Sequence, residues 1–307
     1  MAKSDRQHDR LRKLARSLPA GRVVPASELL GARRAGDAET TGPRDGRGAP
    51  SPRSLSEACG GAPITVETPA GEAACWLVRR TLDEVEAELG PVASEYSAVL
   101  RGARQRLGDD AALEASRGLC RAADGRPEDL LFAAGAVSAD AEEVLFLLGT
   151  MTYRDGRLVL AQCLAREPSE EAALLGAFAE RYAAAGVLAT YPGRGVGWRG
   201  LRKRCEAHGI ELPRRRRPPH LDLRREARRA WRGDVPDFHL ETLERCVCRR
   251  RRAEPMPPRQ EGRAYARFLS TGDARPLTRA LHHNALDLAA MAQVLVALLT
   301  GCGPVME

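Results

Sequence analysis

The chain has 307 residues, of which 43% are hydrophobic and 4% aromatic, and its formal net charge at pH 7 is +7. This length is sufficient for one large domain or two small ones with a substantial core. The N-terminus is polar and we find no signal peptide or apolar run typical of a membrane span, so we expect a cytoplasmic protein. The eight cysteines include no Cys-x-x-Cys pair, which argues against structural zinc. The closest pair, Cys246 and Cys248, is interpreted as two free thiols.

The N-terminal part of the chain is predicted to contain a tail and a small lead-in region. Residues 1–58 are expected to form a disordered basic tail and linker, because residues 35–56 are rich in Gly, Pro, Arg and Ser without periodicity. Residues 59–118 are predicted to be a small α+β lead-in region, with two strands around the Pro69-Ala70-Gly71 turn followed by two helices.

Residues 119–303 are predicted to form the main domain. Three apolar runs, at 129–136, 144–153 and 157–165, predict strands that form an antiparallel meander. A helix is expected over 169–185, where Glu170 and Glu171 favour its N-terminus. A strand at 187–191, a helix at 199–208, a strand at 219–223 and several C-terminal helices follow. This order predicts an α/β fold, a mixed sheet flanked by helices.

The C-terminal helix carries a pair of residues with catalytic potential. His283 and Asp287 are four residues apart, so an imidazole and a carboxylate lie on one face of the helix. This pairing suits metal-assisted phosphodiester hydrolysis, in which the Asp holds a divalent ion and the His removes a proton from water. The alternative is a buried structural helix with a satisfied histidine.

Short motifs in a particular order give these residues a context. They are Pro219-His-Leu-Asp-Leu223, Thr242-Leu-Glu-Arg245, Tyr265-Ala-Arg-Phe-Leu269, Thr271-Gly-Asp-Ala-Arg-Pro276 and His283-Asn-Ala-Leu-Asp287. Together they resemble the YprB-type ribonuclease H-like proteins, a bacterial branch of the DEDD 3′–5′ exonuclease superfamily. The resemblance covers roughly residues 60–300. It implies a ribonuclease H-like sheet and a nuclease that depends on Mg²⁺ or Mn²⁺.

The acidic residues of this family are mostly replaced. The first motif, Asp-x-Glu at the end of the first core strand, falls on Ala134 and Ala136. The Asp of the second motif falls on Gly197, and only Asp287 matches the family's four acidic ligands. Two-metal cleavage needs several hard oxygen ligands, whereas a single Asp holds at most one ion weakly.

Other groups are candidates for the missing functions. Asp140 and Glu142 spell Asp-x-Glu, but we interpret them as part of a solvated turn. Asp222 accompanies the metal ligands in the family, so it is kept with His283 and Asp287 as a residual catalytic candidate. The resemblance leaves either His282 or His283 as the base, and the His-Asn-x-x-Asp spelling favours His283.

Positive charge is concentrated in the second half of the chain, at about +12 between residues 199 and 279. Arginine binds phosphate through bidentate contacts, so these runs predict a nucleic-acid-binding surface, although a solvated face or a composition bias gives the same pattern. Arg194 and Arg199 flank Gly197, where their charge would replace the metal ions. The candidate binding residues are Arg194, Arg199, Arg214, Arg215, Arg216, Arg217, Arg249 and Arg250.

The sequence therefore predicts a catalytically impaired ribonuclease H-like protein that binds nucleic acid, as a single strand or a duplex end, beside a helicase or repair factor. One alternative is a metal-dependent 3′–5′ exonuclease with relocated carboxylates from Asp140, Glu142, Asp222 and Asp287. A second alternative is a protein-interaction scaffold. The choice between DNA and RNA and the oligomeric state stay open.

Overall fold

A computed structural model describes residues 52–107, 115–139, 143–192, 196–213, 217–257 and 259–304. In this part of the chain one seven-stranded sheet has the order β1-β2-β5-β4-β3-β6-β7. The strands are β1 Ala62–Thr68, β2 Gly71–Thr81, β3 Leu130–Val137, β4 Leu145–Arg154, β5 Arg157–Leu164, β6 Val187–Thr190 and β7 His220–Asp222.

The central strands form a meander that is extended by two parallel strands. β2 pairs with β5, β5 with β4 and β4 with β3, all antiparallel, whereas β6 pairs parallel to β3 and β7 parallel to β6. The β4–β5 connection is a two-residue turn at Asp155 and Gly156, both with positive φ, which suits the twist of a tight hairpin. The mixed sheet predicted from the sequence is confirmed, and β3 to β7 each begin and end within one residue of the predicted strands.

Helices cover both faces of the sheet. They are α1 Pro52–Cys59, α2 Leu82–Val85, α3 Gly90–Arg101, α4 Ala103–Leu107, α5 Arg117–Asp124, α6 Glu171–Ala184, α7 Trp198–Ala207, α8 Leu223–Ala230, α9 Leu240–Cys246, α10 Gln260–Thr271 and α11 Arg275–Thr300. Because side chains alternate along a strand, Leu131 and Ala133 of β3 join the core under α6, while Leu130 and Phe132 join the core under α3 and α11.

Helix α11 is the longest helix of the described chain. Its 26 residues are long and apolar enough by composition to cross a membrane, but 72% of the apolar window is buried inside the fold. Its N-terminal half contributes Leu277 and Leu281 to one core, and its C-terminal half contributes Leu288 and Leu295 to the other. Burial against the sheet and the neighbouring helices accounts for its apolar composition.

The N-terminal region differs from the expected division into segments. Helix α1 begins inside the predicted linker of residues 1–58, and its Leu55 is fully buried, while Ser54 Oγ donates to the carbonyl of Gly272 at 2.9 Å. One buried leucine in a Gly/Pro-rich context is too weak a signal to find from periodicity. The lead-in strands of residues 59–118 continue the main sheet, because β2 pairs along β5. Residues 1–51, which are the rest of the predicted tail and linker, lie outside the described residues.

Candidate functional site

The candidate site lies where the end of β3 meets α11. Ala134 on β3 pairs with Gly149 on β4, and Asn284 of α11 lies over this pair. Asn284 Nδ2 donates to the carbonyl of Ala134 at 3.0 Å, and Asn284 Oδ1 accepts from Gln162 Nε2 at 2.9 Å. Both amide side chains are buried, so these bonds fix the position of α11 on the sheet. The positions that the resemblance assigns to the family's first and last motifs therefore lie next to each other.

A cavity of about 570 Å³ opens at this junction. Its wall contains Ala134 and Ala136, to which the resemblance assigns the family's first two acids, together with His283 and Asp287 of α11. The predicted residues are therefore brought together, but the two alanines offer no oxygen ligand. The remaining described wall residues are Gly135, Val137, Ser138, Ala139, Glu143, Tyr191, Val196, Phe238, His239, Leu240, Glu241, Met256, Pro257, Arg259, Glu261, Gly262, Asn284 and Met291.

The second motif also adjoins the cavity. Gly197 is the N-cap residue of α7, and the preceding Val196 lines the cavity, with its backbone N–H bonded to the carbonyl of Gly135 at 3.2 Å. A carboxylate at position 197 would stand next to this wall. Glycine supplies no carboxylate at this position, to which the resemblance assigns the family's third acid.

The carboxylate of Asp287 is paired with a buried arginine. The Arg252 side chain is 3% exposed, and its Nη2 lies 2.7 Å from Asp287 Oδ1. Its Nε lies 2.7 Å from Oε2 of Glu244, a residue of α9 whose side chain is 1% exposed. Arg252 therefore bridges α9 and α11 through two charge-assisted bonds. The positive charge next to Asp287 is the guanidinium of Arg252.

The protonation of this group follows from its surroundings. Burial disfavours the charged guanidinium, but Asp287 and Glu244 outweigh that effect and raise the pKa of Arg252 above its usual value. Burial raises the pKa of Glu244, although Arg252 and Arg250 act in the opposite direction. Arg252 is therefore a cation in the folded protein.

The same arginine determines which ring nitrogen of His283 carries the hydrogen. Arg252 Nη1 lies 2.8 Å from His283 Nδ1, and a guanidinium can only donate, so Nδ1 accepts. The neutral ring then carries its hydrogen on Nε2, which lies 3.8 Å from Asp287 Oδ2 and 4.0 Å from Glu261 Oε1. A base facing the cavity would need a lone pair on Nε2. This tautomer presents an N–H there and is therefore unsuited to accept a proton from water.

These residues do not fit the Mg²⁺ or Mn²⁺ pair that the family implies. Three of the four positions that the resemblance assigns to acids are Ala134, Ala136 and Gly197, and the fourth, Asp287, is bonded to Arg252. Within the described ranges, no three His, Cys, Asp or Glu side chains are grouped so that they could hold a metal ion. Asp140 and Glu142, the possible substitutes, lie outside the described residues.

Asp222 has a different place from the one expected. It ends β7 and is the N-cap residue of α8, where its Oδ1 accepts from the backbone N–H of Arg225 at 3.0 Å. It is not among the residues that line the cavity. The capping bond gives Asp222 a structural role, which the Asp at the start of a helical run could have indicated.

His282 and His283 have different surroundings in the structure. His283 lines the cavity beside Asp287, whereas His282 Nε2 lies 3.1 Å from Oε1 of Glu86, in the segment between α2 and α3. His282 is absent from the described cavity wall. His283 is therefore the one of the two that lies on the described cavity wall, and its assignment to the family's base position stays a prediction.

Four of the eight predicted phosphate-binding arginines lie within the described residues, and they differ in exposure. Arg250 was expected on a binding surface, but its side chain is 15% exposed and pairs with Glu86 at 3.2 Å and with Glu244. Arg199 and Arg249 are exposed, and exposed Arg217 lies 5.8 Å from the ring centre of Trp198. Arg199 does not belong to the described cavity wall, so its charge does not replace metal ions there. Arg194, Arg214, Arg215 and Arg216 lie outside the described residues.

The sequence reasoning missed Arg252 and Glu244 as site residues. Glu244 belongs to the Thr242–Arg245 motif and Arg252 ends one of the two densest arginine runs, so both were visible in the pattern. Their cluster with Asp287 was not, because Asp287 lies 35 residues beyond Arg252 and the cluster joins α9, an irregular segment and α11. Only the fold brings them together.

The sheet order and the β3–α11 cleft define a ribonuclease H-like protein. A sequence model of the RNase_H superfamily matches residues 136–299, more than half of the chain, and the chain belongs to this superfamily. It is 28% identical over 156 residues to a Bacillus subtilis (strain 168) protein, the uncharacterized protein YprB. That match covers 51% of this chain and 38% of YprB, so the chain spans well under two thirds of the relative's length.

Proposed function

We propose that this chain is a ribonuclease H-like protein that does not cleave phosphodiester bonds and that holds a nucleic-acid strand beside the former catalytic cleft. We infer the loss of catalysis from the pairing of Asp287 with buried Arg252. Asp287 is the only one of the family's acids that the sequence retains. A carboxylate that already balances a guanidinium has little remaining charge with which to attract a divalent cation.

The arginines of α8 support the binding role. Leu223, Glu226 and Ala227 of this helix are buried, while Arg225 and Arg228 are exposed on the other side, followed by exposed Arg232. The helix begins at the end of β7, which runs parallel to β6 and through it to β3, so its N-terminus lies at the same edge of the sheet as the end of β3 that lines the cleft. Exposed arginines on one helix face supply the bidentate donors that phosphates accept.

This face borders the cavity. The Arg228 guanidinium lies 5.7 Å from the ring centre of Phe238, and Arg224 Nη1 donates to the carbonyl of Pro192 at 3.2 Å. Phe238 and Tyr191, the neighbour of Pro192, both line the cavity. A strand bound along α8 would therefore pass the rim of the cleft. A helicase or repair factor as a further partner stays a prediction that follows from the resemblance.

The test combines cleavage with binding. End-labelled single strands of DNA and RNA are incubated with the full chain in Mg²⁺ and in Mn²⁺, and their length and their retention are measured over a series of salt concentrations. We expect intact strands and salt-sensitive retention. The variant Arg225→Gln/Arg228→Gln/Arg232→Gln should lose affinity and flatten the salt dependence by roughly 2 log units per log unit of salt, since each lost phosphate contact contributes about 0.7.

A matched variant controls for net charge. Arg101→Gln/Arg121→Gln/Arg154→Gln removes three other exposed arginines, on α3, α5 and β4. We expect it to retain most of the affinity. Equal losses in both variants would mean diffuse attraction without a site. Metal-dependent shortening that disappears in Asp287→Ala would establish the exonuclease alternative, and absence of retention would favour the scaffold alternative.

A further inference from the structure

Helix α10 carries a row of three exposed arginines. Arg259 is the N-cap residue of the helix, and Arg263 and Arg267 follow at intervals of four residues. The backbone N–H of Arg263 donates to the carbonyl of Arg259 at 3.1 Å, so Arg259 lies one helical turn before Arg263. Helical geometry separates neighbouring members of this row by about 6 Å along the axis and rotates them by only about 40°. The three arginines therefore form one line, which we call the α10 stripe.

The opposite side of α10 is packed against the sheet. Gly262, Tyr265 and Phe268 are buried, and the ring of Tyr265 stacks on Phe146 of β4 with the ring centres 4.4 Å apart. Gly262 meets the chain just after β3, where an added Cβ would lie 2.6 Å from the backbone N of Ala139. This close approach and the buried rings fix the orientation of α10, and they leave the α10 stripe facing solvent.

The positive charge of the α10 stripe is available to a ligand. Among the described residues, neither Arg259 nor Arg263 has an ion-pair partner. Arg267 Nη2 lies 3.7 Å from Asp273 Oδ2, but the arginine side chain is 64% exposed, and exposed pairs of this kind contribute little. The only acid of α10 is Glu261, which belongs to the cavity wall.

The composition of this face suits a nucleic-acid backbone better than a protein. The other exposed residues of α10 are Ala266, Ser270 and Thr271, so the helix presents no large apolar side chain of the kind that anchors a protein partner. Interfaces with nucleic acid are polar and strongly positive, and a row of cations can follow the backbone of a single strand. Arginine also binds phosphate through two donors at once.

We propose that the α10 stripe is a second phosphate-binding face for a single strand of nucleic acid, in addition to the arginines of α8. Arg259 belongs to the wall of the cavity, and α8 borders the same cavity at Tyr191 and Phe238. The cavity contains carboxylates, so the phosphates are expected on the two arginine faces and not inside it. The inference rests on the proposed strand binding, and it implies that a strand long enough to contact both faces binds more tightly.

The first experiment measures fluorescence anisotropy of labelled oligothymidine and oligouridine with the full chain over a series of salt concentrations. Arg259→Gln/Arg263→Gln/Arg267→Gln should weaken binding of a long strand at least tenfold. It should also flatten the salt dependence by roughly 2 log units per log unit of salt, since each lost phosphate contact contributes about 0.7. The variant Arg101→Gln/Arg121→Gln/Arg154→Gln removes the same charge elsewhere and should retain most of the affinity. Arg259→Lys/Arg263→Lys/Arg267→Lys keeps the charge and should lose much less. Unfolding transitions verify the fold of each variant.

The second experiment identifies where the strand lies. Ala266→p-benzoylphenylalanine places a photo-crosslinker beside the α10 stripe, and Ala87→p-benzoylphenylalanine places one at an exposed position between α2 and α3. We expect the labelled strand to crosslink at position 266 and not at position 87. An acidic peptide of alternating Gly and Glu, the probe for a protein partner, should not compete with the strand.

The outcomes separate this inference from the proposed function. Equal losses in the α10 and control variants, or a retained strand that does not crosslink at position 266, would overturn the α10 stripe and leave the α8 face in place. Affinity that is lost in the α10 variant but kept in Arg225→Gln/Arg228→Gln/Arg232→Gln would support the stripe and overturn the α8 face. No binding of any strand by the natural chain would overturn both. Competition by the acidic peptide that disappears in the α10 variant would make the stripe a protein-binding face and overturn the proposal.

Discussion

Arg252 donates through Nη1 to Nδ1 of His283 at a distance of 2.8 Å. This bond determines which ring nitrogen carries the hydrogen, and it directs the Nε2–H toward the carboxylates of Asp287 and Glu261. A histidine that would be assigned as a general base from its sequence context is therefore held in the form that lacks a base on the cavity side.

The tautomer can be observed directly. In ¹⁵N NMR spectra of the ring nitrogens above pH 7.5, we expect His283 to show a protonated Nε2 and an unprotonated Nδ1. Arg252→Met should mix the two tautomers, because the guanidinium that donates to Nδ1 is removed. The spectrum is assigned by the loss of signals in His283→Gln. A protonated Nδ1 in the unmodified chain would contradict the assignment.

Removal of Arg252 should destabilise the fold strongly. Arg252→Met leaves the buried Glu244 carboxylate, 1% exposed, without one of its two arginine partners, and frees Asp287. Breaking one partner of a buried pair costs about 3–5 kcal/mol, because the other charge stays buried. Urea unfolding monitored by circular dichroism measures this loss.

A matched arginine variant and a compensating change test the explanation. Arg251→Met changes the preceding, exposed residue and should alter the free energy of unfolding by less than about 1 kcal/mol. Arg252→Met/Glu244→Leu should recover part of the lost stability, because the uncompensated charge is gone. No recovery, or equal losses at positions 251 and 252, would argue against a buried ionic cluster.

Gly149 should tolerate no side chain. A Cβ at this position would overlap Oδ1 of Asn284 and lie 3.0 Å from Cδ1 of Leu288. Gly149→Ala should therefore cost about 1–3 kcal/mol by overpacking and break the bond from Gln162 to Asn284. Gly303→Ala, in open space, is the control. In Asn284→Ala the Gly149→Ala change should become much less costly, and an unchanged cost would place the strain elsewhere.

The sheet was predictable from the sequence because its strands are buried apolar runs bounded by turns. β4, from Leu145 to Arg154, and β6, from Val187 to Thr190, are almost wholly buried, so their composition reports their structure. The approach of Ala134 to Asp287 was predictable only through the order of motifs. The burial of Arg252 was not predictable, because a run of arginines has the same sequence pattern whether it is solvated or packed between helices. Which of the two occurs depends on the tertiary fold.

The stability of the sheet edge should depend on pH through His220. This residue is half-buried on β7, and its ring bonds to Oγ1 of Thr190 at 2.8 Å. Burial lowers the pKa of His220, partly opposed by Asp222. The folded chain then binds a proton less readily than the unfolded chain, so stability is complete above the ordinary pKa of about 6.5 and falls as the pH drops below it.

The measurement is the free energy of unfolding between pH 7.5 and 5.5. One group contributes at most about 1.4 kcal/mol per pH unit, and His220→Gln should flatten the profile by up to that slope. A steeper profile in His220→Gln would reverse the sign of the assigned shift.

Introducing acids at the positions that the resemblance assigns to them tests whether missing carboxylates explain the expected lack of metal binding. The variant Ala134→Asp/Ala136→Glu/Gly197→Asp adds three carboxylates at or next to the wall that holds Asp287. Several anchoring oxygens are what a divalent cation requires, so electron paramagnetic resonance should show the variant removing free Mn²⁺ from solution at concentrations where the natural chain does not. Thermal unfolding of the metal-free variant verifies its fold. If the natural chain binds Mn²⁺ equally well and Asp287→Asn abolishes that binding, the carboxylate is available despite Arg252, and the proposed loss of catalysis is wrong.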